Sequence, residues 1–511
     1  MKRIMNIYES CKTSIRVTYF AFIMIAFGYL IQNDSVNVFY TFRSDIILFI
    51  SEFCLRVGEL VVMNLPLIFM LNYVCKKANN ASPVILALVG YFTFSVTTML
   101  LSRQNLDAQA YASGLGLNSV FNMASGNRLP LETGLIGSFL VGFATRVSFI
   151  LSRHRGRFSI TYILSRDAAG IAYNFLICFV LGVVVAYGYP IVFTYLKDVI
   201  NFISNDLMDP LKIGLYSVID RVLSILGLGN IIRYPFWFTS LGGSYSNTLT
   251  GQSILGDINI WKYIKETNAT YLGAGRFITP YYVINMFIIP AFYLGTLLTM
   301  SDKNDRRYMR VVMIVAIVLS VVAGNPLPCE YMMLFTSPLL LLAYLGIVGI
   351  VSGVLVNYEA FLGFVADSTN TITAMPGSFP DFIINIRNAS LSPSLMKIVI
   401  VGAISFVVFL LVVVIYYRFL ANDPLNPKKS DKLVEDLIES VGGVDNIIEA
   451  GSGLYKLNIY IINPEKISID KMKDIGIRKV VETRTGFTFE LGTSACAIAN
   501  SINKNVKASK S

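Results

Sequence analysis

The feature that most constrains this chain is a change of character near residue 420, where a long apolar body gives way to a short polar module. Residues 14–30, 46–73, 84–101, 131–151 and 398–420 are each apolar over a length that can cross a bilayer, whose hydrocarbon takes about 20 helical residues. Residues 432–504 instead interleave charged and apolar side chains like a water-soluble unit. The expected fold class is mainly α: a polytopic helical membrane domain over 1–420, a linker over 421–431, a small C-terminal α/β domain over 432–504 and a tail over 505–511.

Further segments at 167–196, within 213–241, and at 282–300, 311–322 and 336–354 bring the expected total to about ten spans. Asp220, Arg221 and Arg233 interrupt the stretch at 213–241, so a re-entrant hairpin competes there with a full crossing. Broken backbone at membrane depth is tolerated only where protein buries it or a cavity is lined. The sidedness of the basic loop with Asp302, Lys303, Arg306, Arg307 and Arg310 depends on that choice.

With 54% hydrophobic and 14% charged residues and a mean hydropathy of +0.61, the chain is not composed like a soluble enzyme. Its net charge of +10 is placed beside spans: Lys2, Arg3, Lys12 and Arg16 at the first, Lys76 and Lys77 after the second, Arg153, Arg155, Arg157 and Arg166 between the fourth and fifth. Counted in order these fall on one side, which puts the N-terminus in the cytoplasm and explains the basic balance without nucleic acid. The first span lacks a small-residue cleavage site and reads as a retained signal-anchor. Cys11, Cys54, Cys75, Cys178, Cys329 and Cys496 show no C-x-x-C spacing, so no zinc site or disulfide framework is indicated. With His154 the only histidine, catalytic triads and histidine-based metal sites are all but excluded, and no cofactor or metal is expected.

In the C-terminal region, Leu433, Leu437 and Ile438 recur at helical spacing and Gly442-Gly443 closes that helix. A strand over 454–462, a short helix over 470–474, strands over 479–483 and 487–491 and a last helix over 494–502 follow. Leu433, Leu437, Leu457, Ile459, Ile477 and Phe489 supply the apolar core. Pro424 and Pro427 in the linker are expected to stop a helix and begin a tether.

Two elements of the body invite a functional reading. The run from Gly324 to Met332 sets Pro326, Pro328 and Glu330 between apolar segments; an acid at membrane depth marks a site, or else caps a loop. The run Tyr234-Pro-Phe-Trp-Phe238 is either an interfacial aromatic belt or the wall of a sugar pocket.

Taken together, Thr133 to Gly142, Ala186 to Pro190, Pro235 to Phe238, Gly256-Asp257, Gly275 to Phe277, Pro338 to Leu340, Val441 to Gly443, Asn446-Ile447 and Lys456-Leu457 stand in the order found in a known family. The chain resembles the glucose-family sugar permeases of the bacterial phosphoenolpyruvate-dependent phosphotransferase system, with a membrane IIC domain followed by a cytoplasmic IIB domain. The resemblance implies a homodimer in the bacterial inner membrane, surrounded by lipid, moving a sugar with phosphotransferase-system proteins as partners.

The departures from that family are chemical. Its phosphoryl-carrying cysteine lies seven residues after the asparagine matched by Asn446, which here is Gly453, and two arginines that follow become Lys456 and Asn458. Glycine has no nucleophile, and the phosphate cradle is weakened. In the membrane motif Leu327 stands at the first glutamate and Glu330 at the second, while Gly229 and Asn230 replace paired histidines. Leucine cannot take a proton from a sugar hydroxyl. These losses imply a sugar-binding or transporting homologue unable to carry out phosphotransfer by itself, with Glu330, Asn230, Trp237 and Arg276 as candidate substrate-binding residues. The alternatives are a sensor or partner-binding regulator on the same scaffold, or a permease served by another protein's phosphorylated IIB domain.

Overall fold

The computed structural model describes residues 2–32, 44–78, 82–101, 130–153, 166–246, 253–267, 271–365, 376–386, 392–420, 427–453, 456–464, 467, 472, 480–483, 486–491 and 494–510. The membrane body begins with α1 (Lys2–Gln32), α2 (Asp45–Met63), α3 (Leu65–Ala78), α4 (Ser82–Leu101), α5 (Gly134–Arg153) and α6 (Arg166–Ser204). Then come α7 (Pro210–Ile225), α8 (Asn230–Phe238), a hairpin of β1 (Ser244–Ser246) and β2 (Ser253–Leu255), and α9 (Asp257–Thr267). The body closes with α10 (Thr279–Thr299), α11 (Lys303–Ile317), α12 (Leu327–Thr336), α13 (Pro338–Asn357), α14 (Phe379–Ile386) and α15 (Ser392–Ile415).

Among the described residues, seven helices are long and apolar enough to cross a membrane, and they coincide with seven of the ten expected segments. The remaining three are built differently. The stretch 46–73 breaks at Asn64 into α2, which packs on α1, and α3, which packs on α5; Glu52, Arg56 and Glu59 keep α2 from being uniformly apolar. The stretch 213–241 splits into α7 and α8 around Gly227 and Gly229, neither long enough to span alone. The stretch 311–322 continues from the charged first turns of α11, residues 303–310, and ends in a π-helical turn, Val318–Val322.

Two apolar clusters fill the body. Met70, Val74, Ala87, Phe94, Val141 and Cys178 hold α3, α4, α5 and α6 together. A larger cluster joins α1 to α7–α13 and α15 around Tyr216, Trp237, Phe277 and Tyr293. The exposed apolar side chains of α6 and α15 face outward, as lipid contact requires.

The C-terminal region holds α16 (Pro427–Ser440), β3 (Ile447–Ser452), β4 (Lys456–Ile461), β5 (Val480–Thr483), β6 (Gly486–Glu490) and α17 (Ala495–Lys510). Helix α16 begins inside the stretch read as a tether, because Pro427 occupies the first helical position, where a missing N–H costs nothing. The sheet is antiparallel in the order β3-β4-β6-β5, with Ser452 opposite Leu457 and Leu457 opposite Phe489. Leu437, Leu457, Ile459, Phe489, Ile498 and Ile502 are buried together. Strand β3 escapes the sequence pattern because a bulge at Ile447–Glu449 and Gly451 spoil its alternation. Helix α17 runs past the expected end at 502; most of 470–474, and Ile477, His154 and residues 421–426, fall outside the described residues.

Arg16 of α1, Asp305 of α11 and Lys456 of β4 line one cavity of about 650 Å³. The basic flank of the first span, the C-terminal domain and the basic 302–310 segment, which is the first turns of α11 and not the loop expected, therefore share one end of the body.

Candidate functional site

Two breaks in the helical body meet at its centre. The α7–α8 break turns on Gly227 at φ +76°, and the break before α12 turns on Gly324 at φ +75°, conformations that glycine adopts without steric cost. Pro326 and Pro328 then start α12, and the Asn325 carboxamide oxygen accepts from the Leu327 amide at 3.0 Å.

These turns bring Asp220 and Arg221 of α7, Arg233 of α8 and Glu330 of α12 into one buried cluster. Arg221 Nη2 bonds Asp220 Oδ2 at 2.7 Å, and Arg233 Nε bonds Asp220 Oδ1 at 2.6 Å. Arg221 Nη1 reaches Glu330 Oε1 at 3.4 Å, to which the Tyr344 hydroxyl also donates at 2.6 Å. Tyr281 of α10 closes the network, donating to Asp220 and accepting from Arg221. The Arg221 guanidinium lies 4.6 Å from the Tyr281 ring centre, and that of Arg233 5.4 Å from Trp237.

Two carboxylates and two guanidiniums balance in charge, so the cluster is stable as a set and costly to break singly. Its chemistry is positional. It ties α7, α8, α10, α12 and α13 at the breaks, and Glu330 is fully buried with Oε2 unpartnered among the described residues.

Arg233 and Ser224 form the edge where the cluster meets open space: a cavity of about 80 Å³ at the seam between the two apolar clusters. Several times the space of one water, it is faced by Glu132, Thr133, Tyr91, Leu327 and Tyr331 besides Arg233. Glu132 is only 8% exposed and makes no hydrogen bond or ion pair among the described residues. Arg233 Nη2 donates to Ser224 Oγ at 2.6 Å. Acceptors, donors and aromatic faces around one space are what a small polar ligand with apolar faces needs.

Of the four residues expected to bind substrate, none lines this cavity. Glu330 lies in the ion cluster, and Trp237 is fully buried, stacked beneath Arg233 and donating to the Tyr216 hydroxyl at 3.0 Å. Asn230 is buried at the start of α8. Arg276 stands apart, donating to the backbone carbonyls of Gly273, Leu207 and Leu272. Leu327 does face the cavity, and Gly453 lies against α11. Glu132 was missed, although a lone acid immediately before Thr133-Gly134 and an apolar run is a visible signal.

Helix breaks that meet beside a cavity with a few polar groups in an apolar wall, inside a polytopic body, are the architecture of a membrane transport protein. The model of the phosphotransferase system EIIC family matches residues 13–347, and the chain belongs to that family. That range contains every residue of the ion cluster and of the cavity. The multi-pass body is thus a sugar permease domain of the phosphotransferase system.

Proposed function

We propose that this chain is a glucose-family IIBC homologue that binds and moves a small polar solute, a sugar, without carrying the phosphoryl group itself. The observation that supports this reading best is the cavity, where Leu327 stands in place of an acid while Glu132, Thr133, Ser224 and Arg233 still offer polar contacts. Position 229 adds to it: a Cβ there would lie 2.8 Å from Ser224 Oγ and 3.5 Å from the Arg233 guanidinium carbon. Arg233 and Ser224 thus crowd the space into which a histidine at 229 would project, which suits binding more than acid–base work.

The solute-binding groups on this reading are Glu132 and Arg233, with Glu330 and Trp237 acting behind Arg233. The protein sits as a homodimer in a bacterial inner membrane, with its N-terminus and IIB-like domain in the cytoplasm, the arrangement favoured by the basic residues flanking its first spans. Uptake of labelled sugars into vesicles, with and without the phosphoryl-donor proteins, tests it. Donor-independent accumulation or exchange of a sugar is expected. Uptake that strictly requires the donor proteins would favour service by another protein's IIB domain.

A further inference from the structure

Strand β3 is an edge strand of the C-terminal sheet, and edges left open recruit other chains. Here its end is closed by the turn between α10 and α11. The backbone amides of Ser301 and Asp302 donate to the Ser452 carbonyl at 3.1 and 3.2 Å, and the Ser452 amide donates to Ser301 Oγ at 2.9 Å. Side chains extend the contact: Tyr460 donates to Asp302, and Asn458 Nδ2 to Asp305 Oδ2 at 3.3 Å. Farther along, Cys496 Sγ of α17 donates to the Thr299 carbonyl at 3.2 Å. Ser452 and Asp302 are 1% and 3% exposed, so the seam excludes water at its centre.

Two glycines make this approach possible. A Cβ on Gly451 would lie 3.1 Å from Asp302 Cβ. One on Gly453 would lie 2.9 Å from the Asp305 carboxyl carbon and 3.1 Å from its Cβ. Occupying both positions would force the Asp305 side chain to shift, since ordinary side-chain contact begins near 3.4 Å. Asp305 is short and is held by Asn458, so it cannot swing clear without losing that bond.

The turn also lies at a mechanical position. Helix α10 carries Tyr281 in the ion cluster at one end and Thr299 at the docked end, 18 residues and about 27 Å apart. Whatever holds residues 299–305 also holds the far end of the helix that completes the cluster.

We propose that the C-terminal domain is a seated latch: the edge of β3, kept bare by Gly451 and Gly453, is a receptor for the acidic turn Ser301–Asp305 of the same chain. A side chain at position 453 opposes docking by this edge. The latch fixes the α10–α11 turn and needs no phosphoryl chemistry and no second protein. Electrostatics agree with the geometry. Burial opposes the charge of Asp302, but the Asp305 amide and the Tyr460 hydroxyl hold its carboxyl below the ordinary value. Burial, then repulsion from Asp302, holds Asp305 above it.

The test uses the full-length chain in membranes, with Ser301→Cys and Ser452→Cys introduced together, the native cysteines replaced, and a protease site inserted between Leu420 and Pro427. The two serine hydroxyls are 3.2 Å apart, so oxidation should join the membrane and C-terminal fragments in most molecules. Gly453→Val should reduce that crosslink at least tenfold, and adding Asp305→Gly should restore it by vacating the contested space. No crosslink in the parent, an undiminished crosslink with Gly453→Val, or failure of Asp305→Gly to restore it would each overturn the proposal.

Discussion

Gly453 and Asp305 compete for one volume: the side chain that Gly453 lacks would lie against the Asp305 carboxyl carbon at 2.9 Å. The membrane body and the C-terminal domain meet at Gly453. On the IIBC reading proposed above, this is also the position of the family's nucleophile, so a bare residue there would serve the contact as well as remove a reactive group.

The two aspartates should give this contact opposite pH dependences. Asp302 has a depressed docked-state pKa, so its contribution is full above the unpaired value of about 3.9 and is lost as pH falls through the docked value. Asp305 has a raised one, so its contribution is present below about 3.9 and fades as pH climbs through the docked value. Lys456, Tyr460 and Glu449 are the other titratable groups facing the pair. Asp302→Asn keeps the cap on α11, where Oδ1 now accepts from the Asn304 and Asp305 amides, and removes the charge together with the Oδ2 acceptor of the Tyr460 hydroxyl. It should weaken docking at pH 7 by about 1–2 kcal/mol, roughly 5–30-fold. Asp305→Asn should leave docking equal or tighter. Energy transfer between a dye on the membrane body and one on the C-terminal domain, followed across pH 3 to 8, checks this, and equal weakening by both substitutions would refute it.

Within the ion cluster, Asp220 should matter more to stability than Glu330. Asp220 bonds both guanidiniums at 2.6–2.7 Å, whereas Glu330 pairs with Arg221 at the longer distance of 3.4 Å. Asp220→Asn leaves two buried cations facing one carboxylate and should cost about 3–5 kcal/mol. Glu330→Gln keeps the Tyr344 bond available and should cost about 1–3 kcal/mol. Thermal unfolding in detergent ranks the two, and equal losses would mean that the cluster does not partition in this way.

Much of this arrangement is legible in the sequence, and the remainder is hidden for definite reasons. Seven spans are long uniform runs, and such runs have few ways to satisfy their backbone in lipid. The interruptions by Asp220, Arg221 and Arg233 were visible, but not their convergence on Glu330, 97 to 110 residues away, because pairing across helix breaks leaves no periodic trace. Trp237 reads as a pocket wall by type yet lies fully buried behind Arg233, and residue type cannot report which layer of a site a ring occupies. Glycine at 453 reads only as a loss until its neighbour Asp305 is known.

Glu132 offers a clean test of the cavity. It is almost fully buried and makes no hydrogen bond or ion pair among the described residues, so its substitution breaks no bond to any of them. Glu132→Gln should therefore leave the unfolding temperature unchanged while weakening sugar binding about 2–10-fold, the worth of one hydrogen bond. Binding by the intact protein in detergent, set beside the melting curve, separates the two effects. A lowered melting temperature with unaltered binding would assign Glu132 to the fold.

Phosphate should not be accepted at position 453, nor should cysteine there restore acceptance. With the wild-type chain there is no side chain to attack the phosphoryl donor. In a Gly453→Cys variant two outcomes compete, and both are unfavourable. If the domain stays docked, the thiol lies against the Asp305 carboxylate, which repels a thiolate and lifts the thiol above its ordinary value of about 8.5. If the bulk of the sulfur drives the domain off, the thiol is freed, but only Lys456 and Asn458 remain nearby, without the bidentate guanidiniums that hold a phosphoryl group well. Incubation with labelled phosphoenolpyruvate and the donor proteins should thus give no phosphoenzyme for the wild type and labelling well short of stoichiometric for Gly453→Cys. Adding Asp305→Asn should raise the labelling of the cysteine variant by removing the repelling charge, and stoichiometric labelling without that change would show that Asp305 does not govern the position.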